Sequence, residues 1–201
     1  MKIDIKTNIK EVAKDLSRDQ KRQIPFATSL AINNTLEALA GKGKKVGILG
    51  IQMRSKLDRP TPFTQKGFYV IRATKKNLMG ILRVKDVVEK YLSYQIDGGV
   101  RSSSKKIAIP TTNKKLNSYG NIAGKKSGVV KGKNEKILTI GGMTGVYKTH
   151  KGKVVDLLIA FKDKAVYTSK FPIYRIADGY INKNFNKHFK KAIDIALKSA
   201  K

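Results

Sequence analysis

The chain has 201 residues, 40% of them hydrophobic, enough apolar content for a packed core and enough length for one domain or one domain with an extension. It has no cysteine, which excludes disulfides and thiolate metal sites, and its two histidines, His150 and His188, offer too little for zinc. Lys and Arg number 43 against 14 acids, a formal net charge of +29.

Two readings of that charge stand side by side. A surface this basic meets a polyanion or an acidic protein, since self-repulsion works against a compact state. Alternatively, a lysine-rich composition merely gives a solvated face. There is no apolar run of about 18 residues, so no transmembrane helix is expected. The start, Met1 to Ile5, lacks the apolar stretch of a signal peptide, and synthesis in the cytoplasm is expected.

In chain order, Ile3 and Ile5 alternate with polar residues and suggest a short strand. Ile9, Val12, Ala13 and Leu16 recur at helical spacing, with Thr7 or Asn8 as cap, and predict a helix to about Gln23. Pro25 suits the first turn of a new helix, with Phe26, Leu30, Ala31, Asn34 and Ala38 along one face. Gly41-Lys42-Gly43-Lys44-Lys45 weakens or breaks that helix. Val46, Leu49, Met53 and Leu57 resume it, and it ends before Asp58-Arg59-Pro60.

Phe68–Ile71 and Leu78–Val84 read as strands joined by the polar turn 74–77. Val87, Val88, Tyr91 and Leu92 suit a short helix stopped by Gly98-Gly99. Residues 101–136 hold ten cations against one acid, Glu135, and read as a long, basic, flexible loop. Residues 137–140, 145–149, 154–161 and 166–168 suggest an antiparallel sheet. Ile181, Phe185, Phe189, Ala192, Ile193 and Leu197 form the stripe of a closing helix over about 178–199. The order predicts an α+β fold in one domain over 1–201: long N-terminal helices and a C-terminal helix packed on an antiparallel β-sheet, with the basic loop at 101–136.

Enzyme signatures are missing from the sequence. There is no P-loop and no Gly-x-Ser-x-Gly elbow, and Gly141-Gly142-Met143-Thr144-Gly145 lies between strands, where a turn is expected. Asp86 with Glu89, and Asp156 with Asp163, form no recognisable metal set and read as structural or surface residues. His150 and His188 have no visible partner. The expectation is no catalysis, no cofactor and no metal.

The segment Asp58-Arg59-Pro60-Thr61-Pro62-Phe63-Thr64 stands apart. Its prolines stiffen an extended connector, Phe63 supplies a large apolar anchor, and Arg59 can pair with a carboxylate. A rigid connector with Phe63 in the core is the other reading. Further contact candidates are Lys105, Lys106, Lys125, Lys126, Lys131 and Lys133 in the loop, with Lys183, Lys187, Lys190 and Lys191 on one face of the last helix.

Asp58 to Thr64, followed by Tyr69-Val70 and Ala73-Thr74-Lys75, resembles a segment of the phage minor tail protein Z family. Ala31-Ile32-Asn33-Asn34-Thr35, Lys90-Tyr91-Leu92 with Gln95-Ile96 and Gly98-Gly99, and Leu116 to Asn121 are similar to further family segments in the same order. The glycine-lysine stretch at 41–50 and the high lysine content depart from it. The resemblance implies a non-enzymatic tail-completion or head-to-tail joining subunit, a homo-oligomeric ring component of the phage neck. Its implied partners are other neck, connector and tail proteins, with no membrane, and in such a neck the basic charge is expected to face either packaged DNA in the channel or acidic surfaces of adjoining rings. The implied location is the virion, after assembly in the host cytoplasm. No catalytic residue carries over. The charge alone suggests the alternative, a stand-alone basic nucleic-acid-binding protein.

Overall fold

A computed structural model describes residues 3–4, 18–122 and 134–199. It is an α+β fold with helices near both ends and antiparallel sheets between them. Among the described residues, contacts cluster into two compact units, Met1–Ile96 with Phe171–Lys201, and Asp97–Lys170.

In the first unit, α1 (Arg18–Ala40) runs through Pro25, so the helix expected to restart at Pro25 is continuous with the residues before it. Of the helix expected over 9–23, residues 9–17 and its cap at Thr7 or Asn8 lie outside the described residues. Pro25 forfeits one backbone donor, but flanking turns keep theirs. Hydroxyls fold back on the same helix: Thr28 Oγ1 donates to the Ile24 carbonyl at 2.8 Å, and Thr35 Oγ1 to Ala31 at 2.8 Å.

The helix stops where expected. Gly41 has φ 93° and Gly43 φ 61°, conformations that favour glycine. The chain then doubles back so tightly that a Cβ on Gly47 would collide with the backbone of Leu39, Ala40 and Gly41. Next come α2 (Ile48–Lys56), the single turn α3 (Pro62–Gln65), β2 (Phe68–Ile71), β3 (Ile81–Val84) and α4 (Asp86–Ile96). The strand β1 (Ile3–Asp4) pairs with β3, giving a three-stranded antiparallel sheet in the order β1-β3-β2. The closing helix α5 (Ile173–Lys198) begins several residues before the expected start, directly after Pro172.

The core of this unit joins Leu36 and Leu39 of α1, Met53 of α2, Leu82 of β3, Leu92 of α4 and Phe171. Each such side chain contributes about 1.5–3 kcal/mol of burial free energy. A second cluster is built from small residues: Ala27 and Ala31 of α1 meet Ala192 and Ala196 of α5, flanked by Phe185 and Phe189. With only methyl groups between them, the two helices approach closely. In the stripe anticipated from sequence, Leu197 is exposed and Ala196 takes the buried position.

The second unit is a four-stranded antiparallel sheet, β4 (Gly99–Pro110), β5 (Glu135–Ile140), β6 (Met143–His150) and β7 (Lys153–Tyr167), in the order β4-β7-β6-β5. Two expectations are corrected here. Residues 101–110 and 135–136 are strand rather than loop, and 154–161 with 166–168 form one long strand that ends at Tyr167. The polar stretch Ser102–Lys106 hid β4. It forms an irregularity in which the register shifts between Ser102 and Ile107, while long-range pairing to β7 holds the strand on both sides.

Two-residue turns join the last three strands. Gly141 (φ 57°) and Gly142 (φ 76°) link β5 to β6, and Lys151 (φ 49°) and Gly152 (φ 79°) link β6 to β7. Positive φ at both central residues matches the twist of a hairpin. Of the Gly141–Gly145 run, where a turn is expected, Gly141-Gly142 form the turn and Met143 to Gly145 already belong to β6. Val146, Leu158 and Ile159 form the small core of the sheet, with Ala108, Ile122 and Phe161 packed on it.

Candidate functional site

The connector between α2 and β2 carries the most specific local geometry of the first unit. Leu57 caps α2 in an extended conformation (φ −117°, ψ 146°). Arg59 then adopts φ 44°, a left-handed conformation uncommon for a residue with a side chain. Its guanidinium grips the neighbouring carboxylate with two hydrogen bonds, Nε and Nη2 of Arg59 to Asp58 at 3.0 Å each. That hydrogen bonding holds the Asp58 carboxyl below its ordinary range and raises the Arg59 pKa further. Arg59 thus already has a carboxylate partner within the chain, and both side chains are exposed.

Thr61 is extended (φ −64°, ψ 154°). Thr61 caps α3, its Oγ1 accepting the Thr64 amide at 3.2 Å, and Pro62 occupies the first helical turn, where its missing N–H costs nothing. The segment is therefore not uniformly extended: Arg59 is left-handed, Thr61 is extended and Pro62–Gln65 is helical. Gln65 pins it from inside: its amide nitrogen donates to the Pro60 carbonyl at 2.7 Å, and its oxygen accepts from Arg54 Nε of α2 at 2.8 Å. On the other side the Thr64 and Tyr91 hydroxyls are 2.9 Å apart, tying the connector to α4.

This scaffold leaves apolar surface outward. Phe63 is 60% exposed and Val87 62% exposed, so Phe63 is not a core residue. Val87 and the half-exposed Tyr91 lie four residues apart on α4 and share a face. A rigid connector presenting Phe63, next to a helix presenting Val87 and Tyr91, is suited to contact with another protein surface.

The lysine candidates are scattered. Lys183, Lys187, Lys190 and Lys191 are all exposed on α5. Lys106 lies on β4, 3.6 Å from Asp163. Lys105 is also a β4 residue, and Lys125, Lys126, Lys131 and Lys133 fall outside the described residues. The described part of the former loop includes a local knot: Asn117 Oδ1 accepts from the amides of Tyr119 at 3.0 Å and Asn121 at 2.9 Å. Lys114 pairs with Glu135 at 2.8 Å.

The acidic pairs read from sequence do not converge. Asp86 and Glu89 occupy the first turn of α4, while Asp156 and Asp163 are spread along β7. Among the described residues no three His, Asp or Glu side chains gather, and no helix is long and apolar enough to cross a membrane. His150 is exposed at the end of β6. His188 lies on α5 with its Nε2 3.4 Å from the Tyr180 hydroxyl. Burial, together with Lys191 and Lys187, lowers its pKa from 6.5.

Sequence reasoning missed a basic cavity beside β2. In the sequence Gly41–Lys45 reads only as a helix break, and the other cations that line this cavity come from residues 66, 72 and 85, far along the chain. No protein-family model, curated protein or solved structure matches the chain.

Proposed function

We propose that the chain is a structural, non-enzymatic subunit of a phage neck, completing the tail and joining it to the head-side connector as a ring component. The observation that carries this reading is how the segments resembling the minor tail protein Z family are held together. Asn33, from the first segment, is hydrogen-bonded to the backbone of Ala73 from the second. Thr64 is hydrogen-bonded to Tyr91 from the third. These stretches lie in the first unit, whereas Gly98-Gly99 and Leu116 to Asn121 lie in the second, and the Thr64–Tyr91 bond holds the connector on which Phe63 is exposed. That arrangement presents shape and apolar surface, as a ring subunit needs for its neighbours.

The decisive experiment is to delete the coding sequence from the phage and restore it in trans. The expected result is unjoined heads and tails without the chain, joined infectious particles with it, and the chain present in purified virions at a fixed ring stoichiometry. Normal particles without the chain would overturn the reading. So would a chain that is absent from virions but binds DNA as a monomer, which is the stand-alone nucleic-acid-binding alternative.

A further inference from the structure

A cavity of about 360 Å³ opens in the first unit between the end of α1, the turn that follows it, and strand β2. Its charged lining is Glu37, Lys42, Lys45, Lys66, Arg72 and Lys85, five cations and one carboxylate. Glu37 is already engaged: it pairs with Arg72 and, at 3.1 Å, with Lys42. Burial opposes its charge, but the hydrogen bonds and charges of Arg72 and Lys42 outweigh burial and hold its carboxyl below the ordinary value. The carboxylate therefore orients two cations and neutralises only one charge. Lys85 Nζ donates to the Lys66 carbonyl at 2.9 Å, which fixes the Lys85 ammonium on this wall.

We infer that this cavity binds a phosphate group, either of a free phosphate compound or of a nucleic-acid backbone. Five cationic residues line one concavity against a single carboxylate; neighbouring like charges repel, an added anion relieves that repulsion, and a concave wall focuses the field. The lining brings point charges from Lys45, Lys66 and Lys85, with the planar donor fork of Arg72, the donor set that phosphate oxygens accept from. The turn keeps the mouth open. Gly43, at φ 61°, has nothing within 4 Å of where a Cβ would stand. The volume falls within the usual range for small-molecule sites, roughly 300–1,000 Å³. It leaves room for a phosphate with an organic substituent, and Tyr69 lines the same space. The inference stands independently of the neck reading, because it concerns the isolated chain.

The test compares the wild-type chain with a triple variant, Lys45→Gln, Lys66→Gln and Lys85→Gln. A charge-matched control triple removes lysines from the other unit: Lys148→Gln, Lys153→Gln and Lys162→Gln, all exposed. Calorimetry with sodium pyrophosphate, and fluorescence anisotropy with a short single-stranded DNA between ~50 and ~200 mM salt, supply the two readouts. The cavity variant is expected to lose about tenfold or more in affinity for at least one ligand, and the control to stay within about twofold. Loss of pyrophosphate binding alone identifies a free phosphate compound as the source. Loss of DNA affinity identifies the backbone phosphodiester, with the salt slope smaller by roughly 0.7–0.9 for each contact removed. Equal losses in the cavity and control variants, or unchanged affinity for both ligands in the cavity variant, overturn the inference. Circular dichroism confirms that both variants are folded before either is scored.

Discussion

Asn33, in the middle of α1, forms both hydrogen bonds that the backbone of Ala73 can offer. Its Oδ1 accepts from the Ala73 amide at 2.8 Å and its Nδ2 donates to the Ala73 carbonyl at 3.0 Å. A side-chain amide here substitutes for one rung of a sheet, fastening the chain that leaves β2 to the helix. Ala73 itself is buried, so neither backbone group has water to turn to. Asn33→Leu is therefore expected to destabilise the chain by roughly 1–3 kcal/mol, the cost of leaving a buried donor and acceptor unsatisfied. Asn33→Asp, which keeps the acceptor and loses the donor, is expected to lie between the two. Urea denaturation measures both. A leucine variant as stable as wild type would show that the clamp is dispensable.

The alanine seam between α1 and α5 leads to a second expectation. Ala31 and Ala192 are both 0% exposed. Ala192→Leu would force the helices apart, at a cost of about 1–3 kcal/mol or more. Ala192→Gly removes only a methyl group and adds backbone freedom, costing about 1 kcal/mol. The ordering of melting temperatures, wild type above glycine above leucine, checks the close approach. A leucine variant that melts as wild type would mean the seam has room to spare.

The connector separates stability from assembly. Arg59→Gly removes the side chain from a left-handed backbone position, so the melting temperature of the isolated chain is expected to hold or rise. Phe63→Ser is likewise expected to leave the melting temperature unchanged, because the ring is outside the core. On the neck reading, both variants lower the yield of infectious particles in the complementation assay. Full infectivity from the double variant would remove this surface from the interface.

His188 makes stability depend on pH. Its folded pKa lies below 6.5, chiefly because burial disfavours the imidazolium, with Lys191 and Lys187 adding repulsion. The unfolded chain therefore binds the proton more readily, and stability rises with pH wherever the two states differ in protonation. His188 imposes no penalty above the unfolded value; stability is lost as pH falls through 6.5 and then through the folded pKa. Melting curves at about pH 7.5 and 5.5 should show a larger drop for wild type than for His188→Gln. Parallel drops would place the pH response elsewhere.

Much of the fold is legible from spacing alone. The α5 stripe repeats at three and four residues, and the breaks at Gly41–Lys45 and before Asp58 follow from glycine and proline. The Gly141-Gly142 hairpin likewise follows from its two glycines. What the sequence conceals is long-range. Nothing local in Ser102–Lys106 announces a strand, because β4 is held by β7, more than fifty residues later. Asn33 looks like a polar residue on a helix until Ala73 stands beside it, and helical spacing puts Asn34, not Asn33, on the expected packing face. The cavity cations come from four separated stretches, around residues 42, 66, 72 and 85, and a net charge carries no address.

The chain leaves the first unit after Ile96 and re-enters it at Phe171, whose amide donates to the Gln95 carbonyl at 2.8 Å. The sheet is thus a guest spliced into a host whose cut ends remain bonded to each other. Such an insertion is exchangeable in principle, since the host needs only its two ends kept close. It also sets a kinetic toll: α5 can reach α1 only after the intervening chain is closed into a loop, and each halving of that loop lowers the closure cost by about 0.6 kcal/mol. A chain with residues 97–170 replaced by a short glycine-serine linker is expected to keep its helical circular dichroism and to fold faster than the full chain in stopped-flow refolding. Failure of that shortened chain to fold would show that the guest is required by its host.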